Sequence, residues 1–333
     1  MLILSQDDVV RLLPMSACID VMASTLATLA RGDALLPLRT VILIPNSNDA
    51  FAVMPAYIGS PKTMGAKIIT VWPGNHGTQF DSHQGAVLLF DGENGSLSAL
   101  LDATSVTTIR TAAVSAVATR LLAREDASRL TIIGSGVQAY AHLESMCAVR
   151  NITSVRVYSR NAEHAGEVVK VARERFSLDA DVASSGETAV RNADIVCTAT
   201  SARTPVLEGS WLSPGTHINA IGASQRTARE IDSAAVVMSR LYVDRRESAL
   251  KEPGDILVPL EDGDIGPDHI VAEIGELLIG RGQGRRNGEE ITLFKSLGLA
   301  VEDLASSLYV YNEAKRTGAG VEVDVGGVRN ASH

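Results

Sequence analysis

Aromatic side chains make up only 4% of this chain, against 45% hydrophobic residues overall. A composition so dominated by Ala, Val and Leu disfavours an aromatic-packed β-sandwich and fits an α/β protein. Cysteine is nearly absent: Cys18, Cys147 and Cys197 are odd in number, far apart and set in apolar contexts. That excludes a disulfide framework and any metal-ligand spacing, and it predicts buried free thiols and no metal site. Excess positive charge is missing as well. A net charge of −9 with interspersed signs argues against a nucleic-acid or anionic-membrane partner, so an anionic ligand must be met by a local cluster of cations. No apolar run has the length of a membrane span, and the opening MLILSQDDVV has neither the basic region nor the cleavage site of a secretory signal; the expectation is a cytoplasmic protein. Internal repeats and low-complexity tracts are also lacking.

What is present is length and one organising stretch. The 333 residues exceed the size at which single cores divide, which predicts two domains. Residues 130–160 read LTIIGSGVQAYAHLESMCAVRNITSVRVYSR: a short β-branched run, a tight Gly-Ser-Gly turn, a helical pattern over 140–149 and a second β-branched run over 154–158. That is a βαβ unit of the length such a crossover needs. In its dinucleotide-binding form Gly134 permits the turn, Gly136 lets backbone approach a pyrophosphate, and small Ala139 lets helix pack on strand. The helix N-terminus, with Val137 and Gln138, offers unpaired N–H groups and a partial positive charge to phosphates.

The ribose-reading position follows. NAD enzymes carry Asp or Glu about 20 residues beyond the fingerprint, whereas a 2′-phosphate wants a cation and no carboxylate. Here that position is Ser159, followed by Arg160 and Asn161; hydroxyl, guanidinium and amide together predict preference for NADP(H), with NAD(H) possible. The alternative is that Arg160 merely ends the strand in solvent.

Around this unit the chain changes texture. Residues 1–5 read as a strand, and 6–31 as two helices interrupted at Pro14. Short β-branched runs at 39–44, 52–56, 64–72, 85–91 and 97–101 predict an antiparallel or mixed sheet. The Ala/Thr-rich segment 105–123 reads as a helix. After residue 160 the pattern alternates as a doubly wound fold requires: helix 161–176, strand 180–183, helix 186–193, and strands at 194–198, 216–221 and 241–243. Residues 261–268 read as loop, 270–281 and 291–311 as helices, and 321–325 as a strand.

Cations standing inside apolar runs need an explanation, because a buried charge is costly unless paired. Arg39 follows LLPL, Lys67 sits in MGAKII, and Arg110 sits in an Ala/Thr helix. Each alone reads as an outward-pointing side chain; together they read as a clamp for a carboxylate. His76, Asp81 and His83 in a Gly-rich loop read equally as a pocket edge or plain surface, and Glu302-Asp303 as a solvated helix face.

These blocks, with LPLRTVI, FAVMPAYIG, GAKIITV, SHQGAVLLFDGENGSLSALLDATSVTTIRTAAVSA, GSGVQAYAHLE, INAIGAS and ITLFKSLGLAVEDL, resemble the ornithine cyclodeaminase/mu-crystallin family over nearly the whole chain. The resemblance implies a Rossmann domain, a doubly wound parallel sheet, over 113–304. It also implies a second, α+β domain for substrate binding and homodimer formation over 1–112, completed by 305–333. By the same resemblance Arg39, Lys67 and Arg110 hold the carboxylate of an amino or imino acid, and Met54, His83 and Gln84 line the pocket. Thr111 and Gln138 lie near the cofactor, and Thr198, Ala199, Thr200 and Gly222 to Ser224 close the nicotinamide site. The implied activity is reduction of a small α-imino acid by a nicotinamide cofactor or the reverse oxidation, with Lys67 the candidate proton donor. Two alternatives remain: an ammonia-releasing cyclodeaminase and a cofactor-bound binding protein. Against the first, family cyclodeaminases place an aspartate at the position matching Ser224, and serine lacks the ionisation that a general base requires.

Overall fold

The computed structural model describes residues 1–75 and 77–327. In chain order it runs β1 (Leu2–Leu4), α1 (Gln6–Leu12), α2 (Met15–Arg31), β2 (Ala34–Leu35), β3 (Thr40–Leu43), β4 (Ala50–Gly59), β5 (Lys62–Val71), β6 (His83–Asp91), β7 (Leu97–Asp102) and α3 (Ala103–Leu122). There follow β8 (Arg129–Ile133), α4 (Val137–Val149), β9 (Ser154–Tyr158), α5 (Ala162–Phe176), β10 (Asp179–Val182), α6 (Gly186–Val190), β11 (Ile195–Thr198) and β12 (His217–Ala220). The rest is α7 (Ser233–Met238), β13 (Arg240–Val243), α8 (Arg246–Ala249), α9 (Gly254–Glu261), β14 (Ile270–Glu273), α10 (Ile274–Leu278), β15 (Thr292–Lys295), α11 (Ala300–Thr317) and β16 (Val321–Glu322). The chain divides into two compact units, residues Met1–Arg110 with the segment from Leu299, and residues Thr111–Gly298. The return to the first unit begins at Leu299 rather than at 305, because α11 packs as a whole against α2, β4, β5 and β6.

In the first unit the sheet order is β16-β1-β7-β6-β5-β4-β2, with β3 also on β4; β1 lies parallel to β7 and the long strands are antiparallel. Pro14, lacking an amide hydrogen, stops α1 and stands as N-cap of α2, and the two helices meet at 83°. Along β4 and β5 burial alternates residue by residue, as a strand with one face on the core dictates. The covered face carries Ala52, Met54 and Ala56 on β4 and Gly65, Lys67 and Ile69 on β5. Gly65 is required by close approach: a Cβ there would stand 2.3 Å from the Leu88 carbonyl and 2.8 Å from a Leu304 methyl.

The second unit is built on an all-parallel sheet of order β10-β9-β8-β11-β12-β15-β13-β14. Strands β11, β12 and β15 are buried at every position, as helices on both faces of a parallel sheet require. The strand order reverses between β8 and β11, which is where such sheets leave a crevice outside their carboxyl ends. Among the described residues no single helix is long and apolar enough to cross a membrane. All three cysteines are free, with Cys18 and Cys197 buried and Cys147 half-buried.

Three local expectations fail. The segment 270–281 opens as strand β14 before turning helical, and 291–311 opens as strand β15 before α11. A continuous apolar run does not distinguish a strand buried on both faces from a buried helix, and pairing with β13 and β12 decides it here. Helix α9, ahead of the predicted loop 261–268, went unread because Gly254 and Pro259 lie within it.

Candidate active site

In the first unit, Lys67 lies on the covered face of β5 and is only 3% exposed, opposite Met54 in the β4 register. Its Nζ is 2.8 Å from Asp303 Oδ2 and donates to Thr107 Oγ1 at 3.3 Å. Arg110, on α3 and equally buried, donates through Nε to Asp303 Oδ1 at 2.9 Å and through Nη1 to Glu302 Oε2 at 3.0 Å. Glu302 and Asp303 are fully buried, so the reading of this pair as a solvated helix face is wrong. They occupy the first turn of α11, where the helix end favours negative charge, and Glu302 also accepts the Leu299 amide at 3.1 Å.

Burial pulls the Lys67 ammonium down to about 8 even though Asp303 opposes the shift; Arg110 and Arg39 add repulsion. Burial would raise Asp303, but Arg110 and Lys67 hold its carboxyl below the usual range. Arg39, just ahead of β3, is half-buried and close enough for its charge to act on Lys67. Lys67 and Arg110 thus face the two carboxylates, with the charge of Arg39 reaching Lys67 from just ahead of β3. Met54 is buried on the same covered face. His83 is exposed at the start of β6, its Nδ1 3.1 Å from Ser82 Oγ, and Gln84 donates to the Asp81 carbonyl at 2.9 Å. His76 lies outside the described residues. No group of three or more His, Cys, Asp or Glu among the described residues is placed to hold a metal ion.

In the second unit, β8 runs through Gly134 and Ser135 to Gly136, the N-cap of α4, which carries no side-chain cap. Gly134 has φ +121°, and a Cβ there would stand 2.3 Å from the Ala199 carbonyl, so this glycine closes β8 against β11. Gly136 has nothing within 4 Å of a built Cβ, which leaves open space before the amides of Val137 and Gln138. Buried Gln138 Oε1 has no hydrogen-bond partner. Open space, uncapped amides and an orphaned buried acceptor fit the phosphates and polar edge of a dinucleotide.

At the end of β9, Ser159 Oγ accepts from Ser135 Oγ at 2.8 Å and from the Asn161 amide at 3.3 Å. Arg160 is exposed and makes no hydrogen bond or ion pair among the described residues. The Asn161 side-chain oxygen caps α5 by accepting the Glu163 and His164 amides, which fixes the side chain and leaves its NH2 as the donor for a ribose phosphate. Thr111 is buried on α3, and Ala199, Thr200, Gly222 and Ser224 are half-buried after β11 and β12. Thr198 is fully buried, and its hydroxyl is turned to the Glu230 carboxylate at 2.8 Å, so its side chain supports the loop from below.

Sequence reasoning misses Glu230, Asp255 and Lys295 altogether, besides misplacing Glu302 and Asp303 on a solvated face. Lys295 carried the same signal as Lys67, a cation inside an apolar run (TLFKSLG). It is fully buried, with Nζ 3.0 Å from Asp255 Oδ2.

Comparison with known proteins adds a family match and three individual likenesses. A model of the ornithine cyclodeaminase/mu-crystallin family matches residues 1–318. Ketimine reductase mu-crystallin from Mus musculus is 41% identical over 281 residues, 84% of this chain and 86% of that protein. The structure of Thermococcus litoralis Delta(1)-pyrroline-2-carboxylate reductase in complex with NADH and L-proline superposes with a TM-score of 0.95 at 38% identity, covering 97% of this chain and all (100%) of that one. An archaeal alanine dehydrogenase dimer with bound NAD superposes with a TM-score of 0.92 at 32% identity, covering 98% and 99% of the two chains.

Proposed function

This chain belongs to the ornithine cyclodeaminase/mu-crystallin family, and from that premise we propose that it is a nicotinamide-dependent oxidoreductase reducing a small imine that bears an α-carboxylate to the amino acid, or running the reverse oxidation. The observation that carries this reading is Lys67: a buried ammonium brought down to about 8, locked to Asp303 and beside Arg110. Such a group is still protonated at neutral pH and can release a proton there. The dinucleotide, when bound, supplies the hydride. The chain's own residues do the rest. Arg110 and Arg39 fix the carboxylate, Asp303 and Glu302 hold the cations in place, and Lys67 keeps a proton ready for the imine nitrogen. Met54 supplies an apolar wall.

Purified protein is expected to oxidise NADPH in the presence of Δ1-pyrroline-2-carboxylate or Δ1-piperideine-2-carboxylate and to release no ammonia from ornithine. Ornithine turning over to proline with stoichiometric ammonia would replace this reading with the cyclodeaminase one, despite the absence of a carboxylate at Ser224.

For the cofactor, exposed Arg160 and the Ser135–Ser159 hydroxyl pair at the end of β9, with no carboxylate at 159–161, support NADP(H) over NAD(H). Arg160→Ala is expected to raise the NADPH KM by roughly 10- to 100-fold, the scale of a hydrogen bond to a charged group, while moving the NADH value far less. Equal losses with both cofactors would count against Arg160 as the phosphate contact.

We also propose that the outer face of the first sheet pairs with a second copy. Phe51, Val53 and Tyr57 on β4 and Met64 on β5 are only half-covered, Leu35, Ile42 and Leu43 are exposed at 66%, 56% and 69%, and an apolar hollow of about 650 Å³ lies among Leu35, Pro37, Pro55, Tyr57, Met64 and Phe90. A patch of this kind marks an interface. Light scattering is expected to give the mass of two chains, and of one chain for Tyr57→Glu; a monomeric wild type would refute the pairing.

A further inference from the structure

At the carboxyl edge of the parallel sheet, β11 and β12 lead into Thr198-Ala199-Thr200 and Gly222 to Ser224, which the family resemblance implies close the nicotinamide site. Besides the backbone bonds from Ala199 to Ile133 and from Ile221 to Thr198, one buried side chain holds both segments. Glu230 is fully buried, and its Oε1 accepts the Thr200 amide at 2.5 Å. Its Oε2 accepts the Gly222 amide at 2.6 Å and the Thr198 hydroxyl at 2.8 Å. One side chain therefore ties two strand ends at a fixed separation. There is no slack: a Cβ on Gly222 would stand 2.0 Å from the Thr200 carbonyl and 2.7 Å from Glu230 Oε1.

Glu230 is itself fixed from behind. Asp255 Oδ1 accepts the amides of Glu230 and Ile231 at 2.8 and 3.1 Å, and Asp255 Oδ2 lies 3.0 Å from Lys295 Nζ at the end of β15. All three ionisable side chains are fully buried. A buried carboxylate is costly unless its oxygens are fully engaged, and its three donors here are two loop amides and the hydroxyl that ends β11. A chain that needed only a stable sheet would meet those donors with a neutral acceptor or water at lower cost.

We propose that Glu230, held by Asp255 and Lys295, is a positioning residue that sets the loops after β11 and β12 for the dinucleotide; this rests on the nicotinamide-dependent reading above. Glu230→Gln is the direct test, because the shape is kept while an amide NH2 is turned against an N–H or hydroxyl donor. The expected result is a rise of about 10- to 100-fold in the NADPH Kd, read from the fluorescence of the bound reduced cofactor, and a fall in kcat per folded site. The imine KM should move less than about threefold, since binding and orientation of the carboxylate are separate from this contact. A merely structural role would lower the melting temperature and the folded fraction while leaving Kd and fluorescence of the folded fraction unchanged. That outcome overturns the proposal.

If Glu230→Gln does not fold, Thr198→Val removes one donor from the same carboxylate, and a wild-type NADPH Kd in that variant overturns the proposal equally. A roughly threefold or larger rise supports it. Wild-type protein that binds NADPH but reduces no imine would sink the functional reading and leave the Kd comparison in force; wild-type protein that binds no dinucleotide would sink both.

Discussion

Replacing Arg110 by alanine is expected to lower kcat/KM for the imine by roughly 30-fold or more, because removing one partner of a buried charged contact costs roughly 2–5 kcal/mol. The direction follows from the charge count. With Arg110 present, two cations, Lys67 and Arg110, are paired with the two acids Asp303 and Glu302, and Arg39 adds positive charge beside Lys67. Without it, the two buried acids keep only Lys67 of that pair of cations, and a monoanion meets added negative charge. The same change leaves Asp303 and Glu302 short of a partner, so the melting temperature should fall as well, by the scale of a broken buried pair, about 3–5 kcal/mol. Binding of the dinucleotide, proposed for residues of the second unit, should persist. Arg110→Lys restores the charge but not the two-pronged contact to both carboxylates and should recover only part of the loss. A folded Arg110→Ala protein with kcat/KM within about threefold of wild type would remove the clamp from the mechanism.

The second large effect concerns Lys67 and has a pH signature. A general acid acts in its protonated form, so with the ammonium at about 8 kcat/KM should be level below that pH and decline as pH rises through it. Binding the substrate carboxylate adds negative charge beside Lys67 and favours its protonated form, which moves the corresponding limb of kcat upward. Lys67→Met should cost about 10²- to 10⁴-fold in kcat, the usual contribution of a positioned proton donor. Lys67→Arg is the informative control: it keeps a positive charge near Asp303 but cannot release a proton, so the limb near 8 should vanish while substrate affinity is partly kept. An unaltered pH profile in Lys67→Arg would move the proton-donor role elsewhere, with an imine that arrives already protonated as the replacement.

The two predictions draw on different layers of information. The strand-turn-helix over residues 130–160 and the pattern around Pro14 were fixed by neighbours in sequence: a glycine that must take φ +121°, an uncapped helix start, a proline that cannot continue a helix. Such features act over a few residues, so one sequence exposes them. The presence of Lys67 and Arg110 in apolar runs likewise announced that partners had to exist, because buried cations do not stand alone. Their identity was invisible, since Arg110 and Asp303 are 193 positions apart and meet only because α11 packs on β4, β5 and β6.

Period reading failed where tertiary pairing overrode it. Residues 292–295 are buried at every position as β15, a pattern that a helix core would share. Glu302 and Asp303 look like the polar start of an exposed helix, and only the sheet beneath α11 makes them the most buried acids beside the clamp. Asn161 reads as a ligand for phosphate, and the structure adds a second task, its side-chain oxygen capping the helix that follows. Local conformation was thus written in adjacent residues, whereas the pairing of charges and the burial of a face were decided by elements far apart in the chain, whose contact energy no local window contains.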